Sequence, residues 1–99
     1  MKTYILVKNT VPLGFAMVGV AHASLAMYLK YKDTPDMEDY LKSFKKVVCK
    51  VSEEEFEVAK GYKDNIVITE SALGKEETVI AFSPRATWTS VFKTYKLYK

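Results

Sequence analysis

Residues 11–29, VPLGFAMVGVAHASLAMYL, form an unbroken stretch without a charged side chain, and His22 is the only histidine in the chain. A run this long and apolar belongs either inside a protein or in a bilayer, whose hydrocarbon core takes roughly 20 apolar residues of helix. Pro12, Gly14 and Gly19 interrupt it, His22 and Ser24 would fall near mid-bilayer, and the strand-like TYILVKN leads straight into it. The sequence therefore predicts a helix over about Phe15–Tyr31, buried in a soluble α/β domain, and no membrane association. A secretory leader is not expected, because the run begins only after a strand and shows no convincing cleavage pattern.

Flanking segments supply the rest of a domain. Tyr4–Val7 reads as a strand buried on both faces. Thr34-Pro35-Asp36 reads as a helix start with Thr34 as N-cap, and Met37, Tyr40, Leu41 and Phe44 follow at i, i+3, i+4 and i+7 as one apolar stripe. KKVVCKV, residues 45–51, is β-branched enough for a second strand. Ser52-Glu53-Glu54-Glu55 is a capping box, opening a short helix that ends at Gly61. NIVIT (65–69) and TVIAF (78–82) make two more strands, and Thr87 is placed to cap a last helix with Trp88, Val91, Phe92 and Tyr95 on one face. The order β-α-α-β-α-β-β-α predicts an α/β three-layer sandwich, a mixed four-stranded sheet with helices on both faces.

With 99 residues, 1–99 is one domain, and 48% hydrophobic content suits a packed core. The single Cys49 excludes an intrachain disulfide and a multi-cysteine zinc site, and points to a cytoplasmic setting. No metal and no cofactor are expected: one histidine and one distant cysteine make no ligand set, and Gly14-x4-Gly19 lacks the Lys-Ser/Thr of a phosphate loop. The net charge of +3 attracts polyanions only if lysines gather on one face.

Three stretches, YILVKN, GFAMVGVAHAS and TVIAFSPRATWTSVFKTYKLYK, together resemble the type 2 peptidyl-tRNA hydrolases. YLKSFKKVVCKV and KTYKLYK are nearer to the shorter branch called peptidyl-tRNA hydrolase domain-containing protein 1. The resemblance implies that family's fold, a tRNA derivative as ligand and a homodimer. Aligned at Ala21-His22-Ala23, the family's catalytic lysine falls on Phe15 and its glutamine on Gly19. Its Asp-x-Gly-x-Thr loop has only Thr69 and Glu70 as nearest counterparts. The resemblance thus implies binding without the usual hydrolase centre, since losing one preorganised donor at an oxyanion costs roughly 2.7–4 kcal/mol.

Other candidates follow from the residues. His22 is either a core histidine bonded to a backbone carbonyl or a general base oriented by Glu70, in which case the chain is an active esterase. Lys8 and Asn9 follow the first strand, where α/β folds present ligand-binding groups, or else shape the turn. Lys93, Lys96 and Lys99 alternate with tyrosines in a pattern suited to phosphates and bases, or simply to a solvated surface. Small residues of the long helix, Ala16, Gly19, Ala21, Ala23 and Ala26, would admit a sheet or a second subunit at close range. A protein-interaction module without an RNA role is the remaining class.

Overall fold

The computed structural model describes all 99 residues. Strand β1 (Thr3–Lys8) leads into α1 (Leu13–Tyr31) and α2 (Pro35–Tyr40); β2 (Lys46–Val51), α3 (Glu53–Lys60), β3 (Asn65–Glu70), β4 (Glu76–Phe82) and β5 (Lys96–Leu97) follow. They form one mixed five-stranded sheet in the order β3-β4-β1-β2-β5. Only β1 and β2 run parallel, joined by the α1–α2 crossover; every other neighbouring pair is antiparallel.

Side chains alternate across β1 into two cores. Ile5 and Val7 meet α1 and α2, while Tyr4 and Leu6 meet α3 and the C-terminal aromatics Phe92 and Tyr95. The α1 side is built on small residues. Ala16, Gly19 and Ala23, with Met27, form the buried stripe of the helix, and a Cβ on Gly19 would stand 2.8 Å from Val79 Cγ2. At its far end Tyr31 Oη and Lys30 Nζ both donate to the Asn65 carbonyl, at 3.1 and 2.9 Å, so α1 runs antiparallel to β3. By length and composition alone α1 could cross a membrane; here it lies across the sheet.

The α3 side opens with the foreseen capping box: Glu55 N–H donates to Ser52 Oγ at 3.1 Å and Ser52 N–H to Glu55 Oε1 at 2.8 Å. Lys60 then ties α3 to β4 through Glu77, at 2.6 Å. Beneath them, burial pushes the Cys49 thiol up to about 11, with nearby Glu55 adding to the effect.

Five expectations are corrected. The sheet has five strands, not four, because Lys96-Leu97 pairs with Cys49 and Lys50 and covers an otherwise open β2 edge. That pairing leaves no room for a last α-helix from Thr87; Thr89 instead starts a 3₁₀ turn, Ser90–Thr94. Its aromatic stripe still reaches the core, where Phe92 packs edge-on against Phe82, ring centroids 5.0 Å apart. Helix α2 stops at Tyr40, with Phe44 at positive φ, so Met37 and Tyr40 are buried whereas Leu41 and Phe44 are exposed. The Thr34 hydroxyl, in the N-cap position, donates to the Tyr31 carbonyl and caps nothing. Finally, α1 is buried along one stripe only, and its outer face is exposed.

Two outcomes follow. Gly19→Leu forces side-chain atoms into Val79 and should cost about 1–3 kcal/mol in urea unfolding, the usual range for overpacking. Cys49 should resist thiol reagents at pH 8 in the native protein and react fully once unfolded, since the thiolate is the reactive form.

Candidate functional site

The carboxyl ends of β1 and β2 lie side by side, because the two strands are parallel. This is where an α/β sheet offers ligand-binding groups. An open cleft of about 700 Å³ lies there, lined by Asn9 after β1, Lys50 on β2, Ser52 and Glu55 at the start of α3, and Thr94, Lys96, Leu97 and Lys99 from the C-terminal segment. Asn9 N–H donates to the Val51 carbonyl at 2.8 Å, which fixes the turn out of β1 beside the end of β2.

Charge in the cleft is mostly positive, three lysines against one glutamate. Lys50 and Lys96 are directly opposed partners in the β2–β5 ladder and so project from the same face of the sheet. Opposed like charges in a ladder are destabilising. Lys50 Nζ donates to the Lys99 carbonyl at 3.1 Å and rests 4.5 Å from the centroid of the Tyr98 ring. No ion pair engages Lys50, Lys96 or Lys99; the molecule's ion pairs are those of Lys42 and Lys60. The one carboxylate in the lining, Glu55, already accepts the Ser52 N–H. Three ammonium groups, two hydroxyls and a side-chain amide therefore line a cleft with a single carboxylate that none of the lysines pairs with, an arrangement suited to an anion with several oxygens.

The remaining predicted residues are distributed as follows. Lys8 points to the α3 face, its Nζ 4.8 Å from the Phe56 ring centroid. Lys93 lies apart from the cleft, in a small hollow with Lys2, Thr87 and Trp88, so the three tail lysines do not act together. Phe15 is half-buried against the α1-side core. His22 is exposed, which corrects the expectation of an apolar core histidine: one residue before Ala23, it is rotated about 100° out of the buried stripe. Its face is apolar as foreseen, yet turned to solvent. Glu70 accepts the Ala72 N–H at 3.0 Å, starting the 3₁₀ turn Ser71–Leu73, and Thr69 beside it is exposed. His22 and Glu70 share no hydrogen bond, and His22 lies nine residues along α1 from Leu13, roughly 13 Å below the carboxyl ends of the strands.

Sequence reasoning missed Lys50, Ser52 and Thr94. Lys50 sits inside a strand-like run and carries no local signal; it becomes a site residue only because β5 returns to pair with β2. No family model matches the chain, and no curated protein is significantly similar to it.

Lys96→Glu places a carboxylate opposite Lys50 and should stabilise the fold by ~0.2–1 kcal/mol, the worth of a cross-strand charge pair, measured by denaturant unfolding at low salt.

Proposed function

We propose that this protein binds tRNA or a related RNA through the basic cleft at the ends of β1 and β2, as a divergent member of the type 2 peptidyl-tRNA hydrolase group that lacks the usual hydrolase centre. The observation carrying the reading is the Lys50–Lys96 opposition. A like-charged pair beside Lys99, ion-paired to no protein carboxylate, is relieved when phosphate oxygens occupy the cleft. Asn9, Lys96 and Lys99, three positions singled out from separate ends of the sequence, line that one cleft. Tyr98, stacked under Lys50, adds an aromatic surface next to the lysines.

Hydrolysis is not part of the proposal. Phe15, in the position where the resemblance puts the catalytic lysine, is half-buried against the core and offers neither charge nor hydrogen bond. His22 lacks an orienting partner, which a general base needs to hold its tautomer and direction.

Fluorescence anisotropy with labelled tRNA over a salt series tests the binding. Affinity should fall log-linearly with salt, and the triple variant Lys50→Ala/Lys96→Ala/Lys99→Ala should bind more weakly, with a salt slope shallower by roughly one per lysine removed. Lys93→Ala should change little. Salt-independent binding, or a triple variant that binds like the parent, defeats the reading. N-blocked aminoacyl-tRNA should be cleaved no faster than background; turnover abolished by His22→Ala in a folded variant would establish the esterase instead.

A further inference from the structure

At the amino end of β1, a second cluster of hydrogen-bond donors gathers around the tryptophan. Lys2 and Arg85 exchange backbone hydrogen bonds: the Arg85 N–H donates to the Lys2 carbonyl at 3.1 Å, and the Lys2 N–H to the Arg85 carbonyl at 3.4 Å. This bridge holds the chain that follows Arg85 beside the start of β1, and the 3₁₀ turn Ser90–Thr94 brings Lys93 to the same place. Lys2, Ala86, Thr87, Trp88 and Lys93 line a hollow there of about 260 Å³. The indole in it is held on several sides. Its ring stands edge-on to Tyr4 and Phe92, with centroids 4.8 Å away in both cases, and the Arg85 guanidinium lies 4.3 Å from its own centroid. So placed, Trp88 keeps its Nε1 buried and without an acceptor. A buried N–H left unpaired is costly, and few native structures keep one without a reason.

Every other polar side chain lining the hollow is a donor as well: two ammonium groups and the Thr87 hydroxyl. No carboxylate lines it, and neither lysine is ion-paired. Arg85 adds a third positive charge across the ring, its guanidinium donating to the Lys63 carbonyl at 3.0 Å. We propose that this hollow binds a phosphate dianion, free or as the monoester of a small molecule. The two ammonium groups balance its charge of about −2 at neutral pH, and Thr87 and the Trp88 N–H serve its remaining oxygens. A carboxylate, with one charge and two oxygens, uses only part of this donor set. The site is independent of the RNA reading: no residue lines both the hollow and the cleft, and Lys2 and Asn9 flank β1 at opposite ends.

Trp88 is the only tryptophan in the chain, so its fluorescence reports on the site directly. Sodium phosphate or glycerol 1-phosphate, added near neutral pH at constant ionic strength, should change the emission saturably and release or absorb heat in titration calorimetry. Acetate and chloride should do neither. Glycerol phosphate bound at least as tightly as phosphate assigns the site to a monoester, and binding of phosphate alone assigns it to the free ion. Lys2→Ala/Lys93→Ala should weaken binding by roughly tenfold or more, since each lysine supplies a charged hydrogen bond. Lys50→Ala/Lys96→Ala/Lys99→Ala should leave it unchanged. Trp88→Phe keeps an aromatic ring and removes the N–H, and should weaken the calorimetric affinity. Should a change at Lys2 or Trp88 unfold the chain, Lys93→Glu decides, because Lys93 is exposed: it should abolish binding. The proposal is overturned by the absence of both fluorescence change and heat, by an equal response to acetate and chloride, or by binding that survives Lys93→Glu in a folded protein. A loss of tRNA affinity in Lys2→Ala/Lys93→Ala as large as in the triple variant also overturns it, and would make the hollow part of the RNA surface.

Discussion

Strand β1 is the constraint on which the other layers depend. It pairs in parallel with β2 and antiparallel with β4, so both its edges are used, and from Thr3 to Val7 every residue is buried. A strand in that position has to be apolar on both faces, and TYILV meets the requirement with one polar exception. Thr3 is wholly buried, and its hydroxyl donates to the Phe82 carbonyl, which removes the cost of an unpaired polar group. Because β1 divides its side chains between two cores, α1 and α3 are obliged to take opposite faces. The ends of β1 and β2 are thereby left uncovered at the top of the sheet.

Two edge decisions then shape the surface. At one side of β1, Gly19 lets α1 settle closely onto the Val79 side chain of β4, which uses up the small residues and leaves the large ones outside. At the other side, β5 pairs with β2 through two residues only, and so short a ladder gains little by itself. Its placement is secured by what precedes it, since Phe92 and Tyr95 are buried among Phe56, Phe82 and Tyr4. Burial of Tyr95 also pushes its hydroxyl pKa up to about 12, so the ring stays neutral across the working pH range. The apolar anchor thus holds Lys96 opposite Lys50 despite their repulsion. The local strain of like charge is tolerated because the packing energy of the aromatics outweighs it.

Much of the fold was legible because its signals are local. The capping box at Ser52 joins groups three residues apart, β1 shows as a short apolar run, and the spacing of Met37 and Tyr40 places both in the core. What misled was periodicity read beyond its support. Trp88, Val91, Phe92 and Tyr95 have helical spacing, yet a 3₁₀ turn followed by a strand buries Phe92 and Tyr95, half-buries Trp88 and Val91, and also protects the β2 edge. Leu41 and Phe44 continue the α2 pattern in sequence, but the chain turns at Phe44 through a positive φ and leaves both in solvent. An uncharged helix likewise does not say how much of itself is covered: the stripe facing the sheet and the stripe facing water are equally apolar here.

The candidate site divides the same way. The sequence by itself determined the α/β class, the two-core strand, the position of α3 and the surplus of lysine, because each depends on residue type and short-range spacing. It also placed Asn9 on a short list for its position after β1, and Lys96 and Lys99 for the lysine–tyrosine pattern of the tail, two unrelated reasons. Only the tertiary structure decided that these three meet, that Lys50 joins them and Lys93 does not, and that His22 faces solvent. Those outcomes depend on which strand pairs with which edge and on the rotation of one helix against the sheet. Such choices are made by long-range packing among residues tens of positions apart, and no local pattern encodes them.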